Sequence, residues 1–277
     1  MHLEPYSELN WAYQLHYYVC FQTHRRRSLF NTEERTSLLK QVLGEICKSH
    51  NYHLLQSKLF PNHIRCLLSL RPNQSIAAAL QKIKRNLSRE FGIAFKTVPP
   101  LWARGYLARS AGRVRIERVK AYLAKQPEHH GYHKRVRPAA FRYRATTVPR
   151  LTAAHTFFEL THHLVFATEY RVGVFDSNMG EALAKYWLHV AVKRGFAIEQ
   201  VSVLPDHVHI MVKNVPKMSV EDCALILMNN GQYFVGKHFP STLVQAGIDR
   251  LWQASAYAGT CGKMTTALLK SFLSRVD

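Results

Sequence analysis

At 277 residues with 47% hydrophobic content, the chain is long enough to bury one or two cores and too apolar to be disordered. A formal net charge of +20 argues against an ordinary solvated surface, which interleaves both signs, and implies a polyanionic partner. No apolar run reaches the roughly 18 residues of a membrane span. The start, Met1-His2-Leu3-Glu4-Pro5, carries an acid and lacks the apolar core of a signal peptide. Five cysteines form no CxxC pair, which fits buried thiols in a reducing cytoplasm better than disulfides or a zinc cluster. The charge is lopsided: residues 1–150 carry +19 and the remainder +1.

In chain order, residues 13–22 are rich in aromatic and β-branched side chains and read as a strand. Residues 32–49 place Leu38, Leu39, Val42, Leu43 and Ile46 at helical spacing behind Thr32 as N-cap. Residues 52–60 and 63–70 read as two strands joined at Pro61-Asn62. A helix over about 73–91, a short strand over 103–109 and a helix over about 113–126 follow. Residues 127–155 hold Pro127, Gly131, Pro138, Pro149 and many basic residues, and read as an irregular linker whose Tyr143 and arginines are candidate DNA contacts. The pattern then starts again, with a strand over 158–168, a helix over 178–194, strands over 197–204 and 207–213, and helices over 219–238 and 263–276.

The recurrence extends to individual residues. Phe60-Pro61-Asn62-His63-Ile64-Arg65 matches Leu204-Pro205-Asp206-His207-Val208-His209, and Leu101-Trp102 matches Leu251-Trp252. Gly112 answers Gly262, and Val119-Lys120-Ala121-Tyr122-Leu123 answers Leu269-Lys270-Ser271-Phe272-Leu273. A tandem duplication is the economical account, with repeat 1 at 1–126, the linker at 127–155 and repeat 2 at 156–277. Alternating strands and helices of this length give an α+β fold of two tandem ferredoxin-like domains.

Each repeat keeps what the other lacks. His207 and His209, two apart on a strand, face the same side and can grip a divalent ion, although exposed strands also carry such pairs. Their counterparts are His63 and Arg65. Tyr122 and Gln126, four apart on a helix, share a face. A phenolic oxygen is a nucleophile toward a metal-polarised phosphate, and an amide oxygen suits a hard ion as third ligand. A tyrosine in this position also serves packing alone, and its counterpart is Phe272.

The histidine pair on a strand, the Leu101-Trp102-Ala103-Arg104-Gly105-Tyr106 segment, the His163-to-Thr168 stretch, and the helix bearing Tyr-x-x-x-Gln together resemble the single-tyrosine HUH transposases, the TnpA-like insertion-sequence proteins and their REP-associated relatives. The resemblance covers both repeats. It implies metal-dependent nicking and rejoining of single-stranded DNA through a 5′-phosphotyrosine. Tyr122 would be the nucleophile, and His207, His209 and Gln126 would hold Mg²⁺ or Mn²⁺. It implies further that the antiparallel sheets of the two halves merge into one pseudo-dimeric sheet, and that the tyrosine helix of one half reaches the histidine pair of the other, in a monomer acting as an internal pseudo-dimer on hairpin-bearing DNA ends. The second composite site departs from the pattern at Arg65, Phe272 and Val276.

DNA contacts are expected mainly from the basic repeat: Arg25, Arg26, Arg27, Lys82, Lys84, Arg85, Arg89 and Arg104, although a solvated helix face also explains the lysines and arginines of 73–91. The alternative is a catalytically inactive, domesticated DNA-binding protein. An RNA-binding protein is a further alternative, but an aromatic RNA-recognition platform is not evident.

Overall fold

The computed structural model describes residues 4–97, 99–129 and 141–274, apart from the side chains of 124–129. Repeat 1 contributes β1 (Asn10–Gln14), β2 (His16–Gln22), α1 (Glu33–Ser49), β3 (His53–Phe60), β4 (His63–Ser69), α2 (Ile76–Phe95), β5 (Tyr106–Ala111) and α3 (Ile116–His129). The connecting stretch contributes β6 (Phe141–Arg144). Repeat 2 contributes β7 (Thr156–Glu159), β8 (Thr161–Thr168), α4 (Ser177–Arg194), β9 (Ala197–Leu204), β10 (His207–Lys213), α5 (Val220–His238), α6 (Pro240–Ala246), β11 (Trp252–Cys261) and α7 (Thr266–Ser274).

The helices begin where side-chain oxygens take up orphan amides. Thr32, Ser75 and Asp176 accept from Arg35, Ala78 and Met179, and Ser219 forms a reciprocal capping box with Asp222. The two long helices α2 and α5 lay their apolar stripes on the sheets of their own repeats: Leu80, Ile83, Leu87 and Phe91 of α2 are fully buried, as are Cys223, Leu227 and Val235 of α5.

The α+β expectation holds, but the sheets do not form one continuous ladder. There are two, ordered β3-β4-β2-β5-β7 and β1-β11-β8-β10-β9-β6. Each borrows an edge strand from the other repeat. β1 pairs parallel with β11, and β7 pairs parallel with β5. The chain crosses between sheets at Leu15 and Leu160, both buried, so one extended segment serves two sheets. Exchanged strands satisfy edges that would otherwise expose unpaired amides.

The crossing point explains the matched glycines. Arg115 bridges Gly262 and Gly112 bridges Thr265. A Cβ at Gly262 would sit 2.1 Å from the Ser110 carbonyl oxygen, and one at Gly112 would sit 2.7 Å from that of Thr260. Only glycine allows the two backbones to meet so closely. Hydroxyls bind the seam on both sides: Ser110 Oγ donates to Cys261 O and accepts from Thr161 N, while Thr260 Oγ1 donates to Ala111 O and accepts from His16 N.

Two readings of the connecting stretch need correction. Part of it is ordered: β6 adds to the edge of β9, with Phe141 and Tyr143 packed on the core and Arg142 and Arg144 exposed. Tyr143 is thus a packing residue, because alternation along a strand turns it inward. The short exchange strands β1 and β7 and the helix α6 carry too little periodicity to stand out in the sequence.

Candidate active site

After the glycine crossing, α3 leaves repeat 1 and packs on the sheet of repeat 2. Leu123, with Ile116 and Val119 beside it, meets Met211 of β10 and Cys261 of β11. Lys120 pairs with Glu199 of β9. The mirror contact is made by α7, whose Leu269 and Leu273 pack on Leu67 and Ala111 of repeat 1. The helices are therefore exchanged between repeats, as the strands are.

This exchange brings Tyr122 to the histidine pair. The Tyr122 and His209 rings lie edge to face with centroids 6.1 Å apart. His207 and His209 stand 5.0 Å apart on the same face of β10, and both are buried. Tyr122 itself keeps 41% of its surface exposed, open to a large substrate. Gln126 lies on the same helix, but its side chain is outside the described residues.

Neither histidine is loosely held. His207 Nδ1 lies 2.6 Å from Asp206 Oδ1, and Asp206 also pairs with Arg171 at 2.7 Å. His209 Nδ1 lies 2.9 Å from His163 Nε2 of β8, and the two rings stack. Burial lowers the pKa of His163 to about 4, so that imidazole stays neutral. Partners at Nδ1 fix ring orientation and turn Nε2 into the coordinating edge, the arrangement in which metal-binding histidines are usually found. Two imidazoles on one strand face can hold a divalent ion. Among the described residues no three His, Cys, Asp or Glu side chains cluster at metal-binding spacing.

His163, Asp206 and Arg171 were not among the site residues read from the sequence. Asp206 was visible as the residue before His207, whereas His163 comes to the site only through the pairing of β8 with β10, where it faces Met211. Arg171 was not visible. It follows Tyr170, and both have left-handed backbone (φ 51° and 58°), a local conformation that aims the arginine back at Asp206.

The expected DNA contacts separate into two groups. Arg25, Arg26, Lys82, Arg85, Arg89 and Arg104 are exposed, and Lys82, Arg85 and Arg89 recur along one face of α2. Arg89 pairs with Glu90 at 2.7 Å. Lys84 and Arg27 belong elsewhere. Lys84 Nζ donates to the carbonyl of Ala103 at 2.6 Å, and Arg27 Nη2 donates to that of Pro100 at 2.5 Å. These two cations donate to loop carbonyls and so hold loop backbone. A cleft of about 700 Å³ beside α3 is lined by Lys120, Arg150, Lys213 and Lys263 together with Glu117, Glu159 and Glu199.

The family described as Transposase IS200 like matches residues 11–126 and again residues 156–275. The ISDra2 transposase TnpA of Deinococcus radiodurans is 22% identical over 42% of this chain and 83% of its own length. The transposase for insertion sequence element IS200 of Salmonella typhimurium is 24% identical over 42% of this chain and 76% of its own. Among solved structures, a putative transposase from D. radiodurans aligns with 42% of this chain and 91% of its own, at a TM-score of 0.34 and 21% identity. A REP-associated tyrosine transposase bound to a REP hairpin aligns with 48% of this chain and 76% of its own, at a TM-score of 0.30 and 15% identity.

Proposed function

Because this chain belongs to the IS200-like transposase family, matched over both of its halves, we propose that it nicks and rejoins single-stranded DNA at one composite site built from Tyr122 of repeat 1 and His207 and His209 of repeat 2. The observation that carries this reading is the approach of Tyr122 to His209 across the repeat boundary, at 6.1 Å between rings.

Mg²⁺ or Mn²⁺ held by His207, His209 and Gln126 would supply positive charge at a phosphoryl oxygen of the scissile phosphate. The chain's own residues do the rest. Asp206 and His163 orient the two imidazoles. The packing of Leu123 on Met211 sets how far Tyr122 stands from them. Tyr122 Oη attacks phosphorus in line. The Oη–P bond forms and the P–O3′ bond breaks. The phenol gives up its proton, and the departing 3′ oxygen takes one up. The 5′ end stays esterified to Tyr122 until another 3′-hydroxyl attacks that ester and releases the tyrosine. The ester conserves the bond, so joining needs no nucleotide cofactor. Arg25, Arg26, Lys82, Arg85, Arg89 and Arg104 supply exposed positive charge for the strand on the basic repeat.

The test is a covalent adduct. Incubation with Mn²⁺ and labelled, hairpin-bearing single strands should give a denaturation-resistant protein–DNA band that EDTA and Tyr122→Phe both abolish. Tight binding without any adduct across a panel of candidate element ends would favour the second reading, a domesticated DNA-binding protein. The loss of tyrosine and second histidine at Phe272 and Arg65 is what keeps that reading in view.

A further inference from the structure

The counterpart of the composite site is built from its own set of residues. Strand register pairs Arg65 with Lys58 on β3, where the second repeat pairs His209 with Ser202. Asn62 stands where Asp206 stands and meets His63 Nδ1 at 2.8 Å, so the orienting contact survives without its negative charge. Arg65 takes the place of the second histidine, and its guanidinium lies 4.5 Å from the centre of the Phe60 ring and 5.5 Å from that of Phe272 on α7. Lys58 Nζ lies 5.2 Å over the same Phe60 ring. His63 stacks on that same Phe60 ring, with centroids 4.2 Å apart and planes within 6°. Phe272 is 43% exposed.

The exchanges run in one direction. A carboxylate, an imidazole and a hydroxyl give way to an amide, a guanidinium and an ammonium, and the phenol gives way to a ring without a nucleophile. Positive charge that a divalent ion would bring to one site is supplied by side chains at the other. An exposed aromatic ring beside a pair of cations has the elements of a platform for single strands: phosphates meet Arg and Lys, and a base stacks on the ring.

We propose that the Arg65–Lys58–Phe60–Phe272 cluster is a metal-independent docking site for a phosphodiester of single-stranded DNA, which holds a second stretch of strand without cutting it. This rests on the single-strand DNA reading above. The Arg65 guanidinium, already flattened between Phe60 and Phe272, presents its N–H edge to a phosphate. Lys58 neutralises the neighbouring one, and Phe272 offers its exposed face to a base.

The test uses the full chain in EDTA, which silences the metal-dependent site. Anisotropy of a fluorescein-labelled single strand is followed across a salt series for the wild type, Arg65→Met, Lys58→Met, Phe272→Leu and Lys185→Met. Arg65→Met and Lys58→Met should each flatten the dependence of log affinity on log salt by about 0.7, the share of one phosphate contact on a single strand. Phe272→Leu should weaken binding roughly tenfold with the slope kept, as for loss of a stacked base. Lys185→Met, at an exposed cation of α4 paired with Glu181, should leave both unchanged. Melting curves report folding, and Lys58→Met stands in for Arg65→Met should the latter unfold. Wild-type slopes in both cation variants, with the Mn²⁺-dependent adduct intact, would overturn the proposal and make Arg65 a rivet between β3 and α7. Absence of any single-strand binding by the wild type would instead sink the functional reading itself.

Discussion

His207 and His209 on β10 occupy the strand positions that His63 and Arg65 occupy on β4, and Tyr122 on α3 occupies that of Phe272 on α7. Around both, the scaffold is the same: a borrowed edge strand, a glycine at the crossing and an exchanged helix. In one, an acid and a neutral histidine hold two imidazoles in place. In the other, an amide holds one imidazole, and a guanidinium lies between aromatic rings. Duplication has kept the architecture and allowed the chemistry to diverge, which a symmetric pair of identical subunits cannot do, since any change appears in both sites at once.

The comparison breaks first at the histidines. His209→Ala should cut the rate of Mn²⁺-dependent adduct formation by about a thousandfold or more, because a Lewis acid supplies several kcal/mol at roughly 1.4 kcal/mol per decade. Arg65→Ala should leave that rate within a few-fold, measured by quenched time courses on denaturing gels. Asp206→Asn, which copies Asn62 into the other site, should weaken metal affinity by about 10–100-fold, read from the Mn²⁺ dependence of the adduct. Leu123→Ala should loosen α3 and cost about 2–5 kcal/mol if the helix and sheet unfold together. Denaturant melts check the energy, and the matched Leu273→Ala should destabilise to a similar degree without touching the adduct.

The smallest effect tests the seam. Tyr17 and His162 occupy equivalent positions in the two repeats and hydrogen-bond to each other at 2.9 Å. Burial lowers the pKa of His162 from 6.5 to about 4, so the unfolded chain binds a proton that the fold refuses. Stability from this neutral histidine is complete above about pH 6.5 and is lost as pH falls toward 4, at about 1.4 kcal/mol per unit at most. His162→Gln should therefore narrow the stability gap between urea melts at about pH 7 and about pH 4.5.

Much of this was legible in the chain. The two histidines two apart, the tyrosine on the last helix of repeat 1 and the matched glycines all follow from local spacing and internal repetition. The partners that give those residues their setting were harder to see. His163 reaches His209 only through strand pairing, and Arg171 reaches Asp206 only because two successive residues adopt left-handed backbone. Lys84 and Arg27 counted as basic charge in the sequence, and only tertiary contact showed that their donors are spent on carbonyls. The exchanged strands β1 and β7 pair with residues far away in sequence, so no local pattern announces them.

The central claim is that a single chain carries one complete site made from both of its repeats. Mixing equal amounts of the Tyr122→Phe and His209→Ala full-length proteins tests it most directly, with adduct formation on a labelled single strand as the readout. The account predicts that the mixture stays as inactive as either variant, because each chain closes its own site. Recovery of adduct in the mixture would show that tyrosine and histidines meet between chains, and would contradict it.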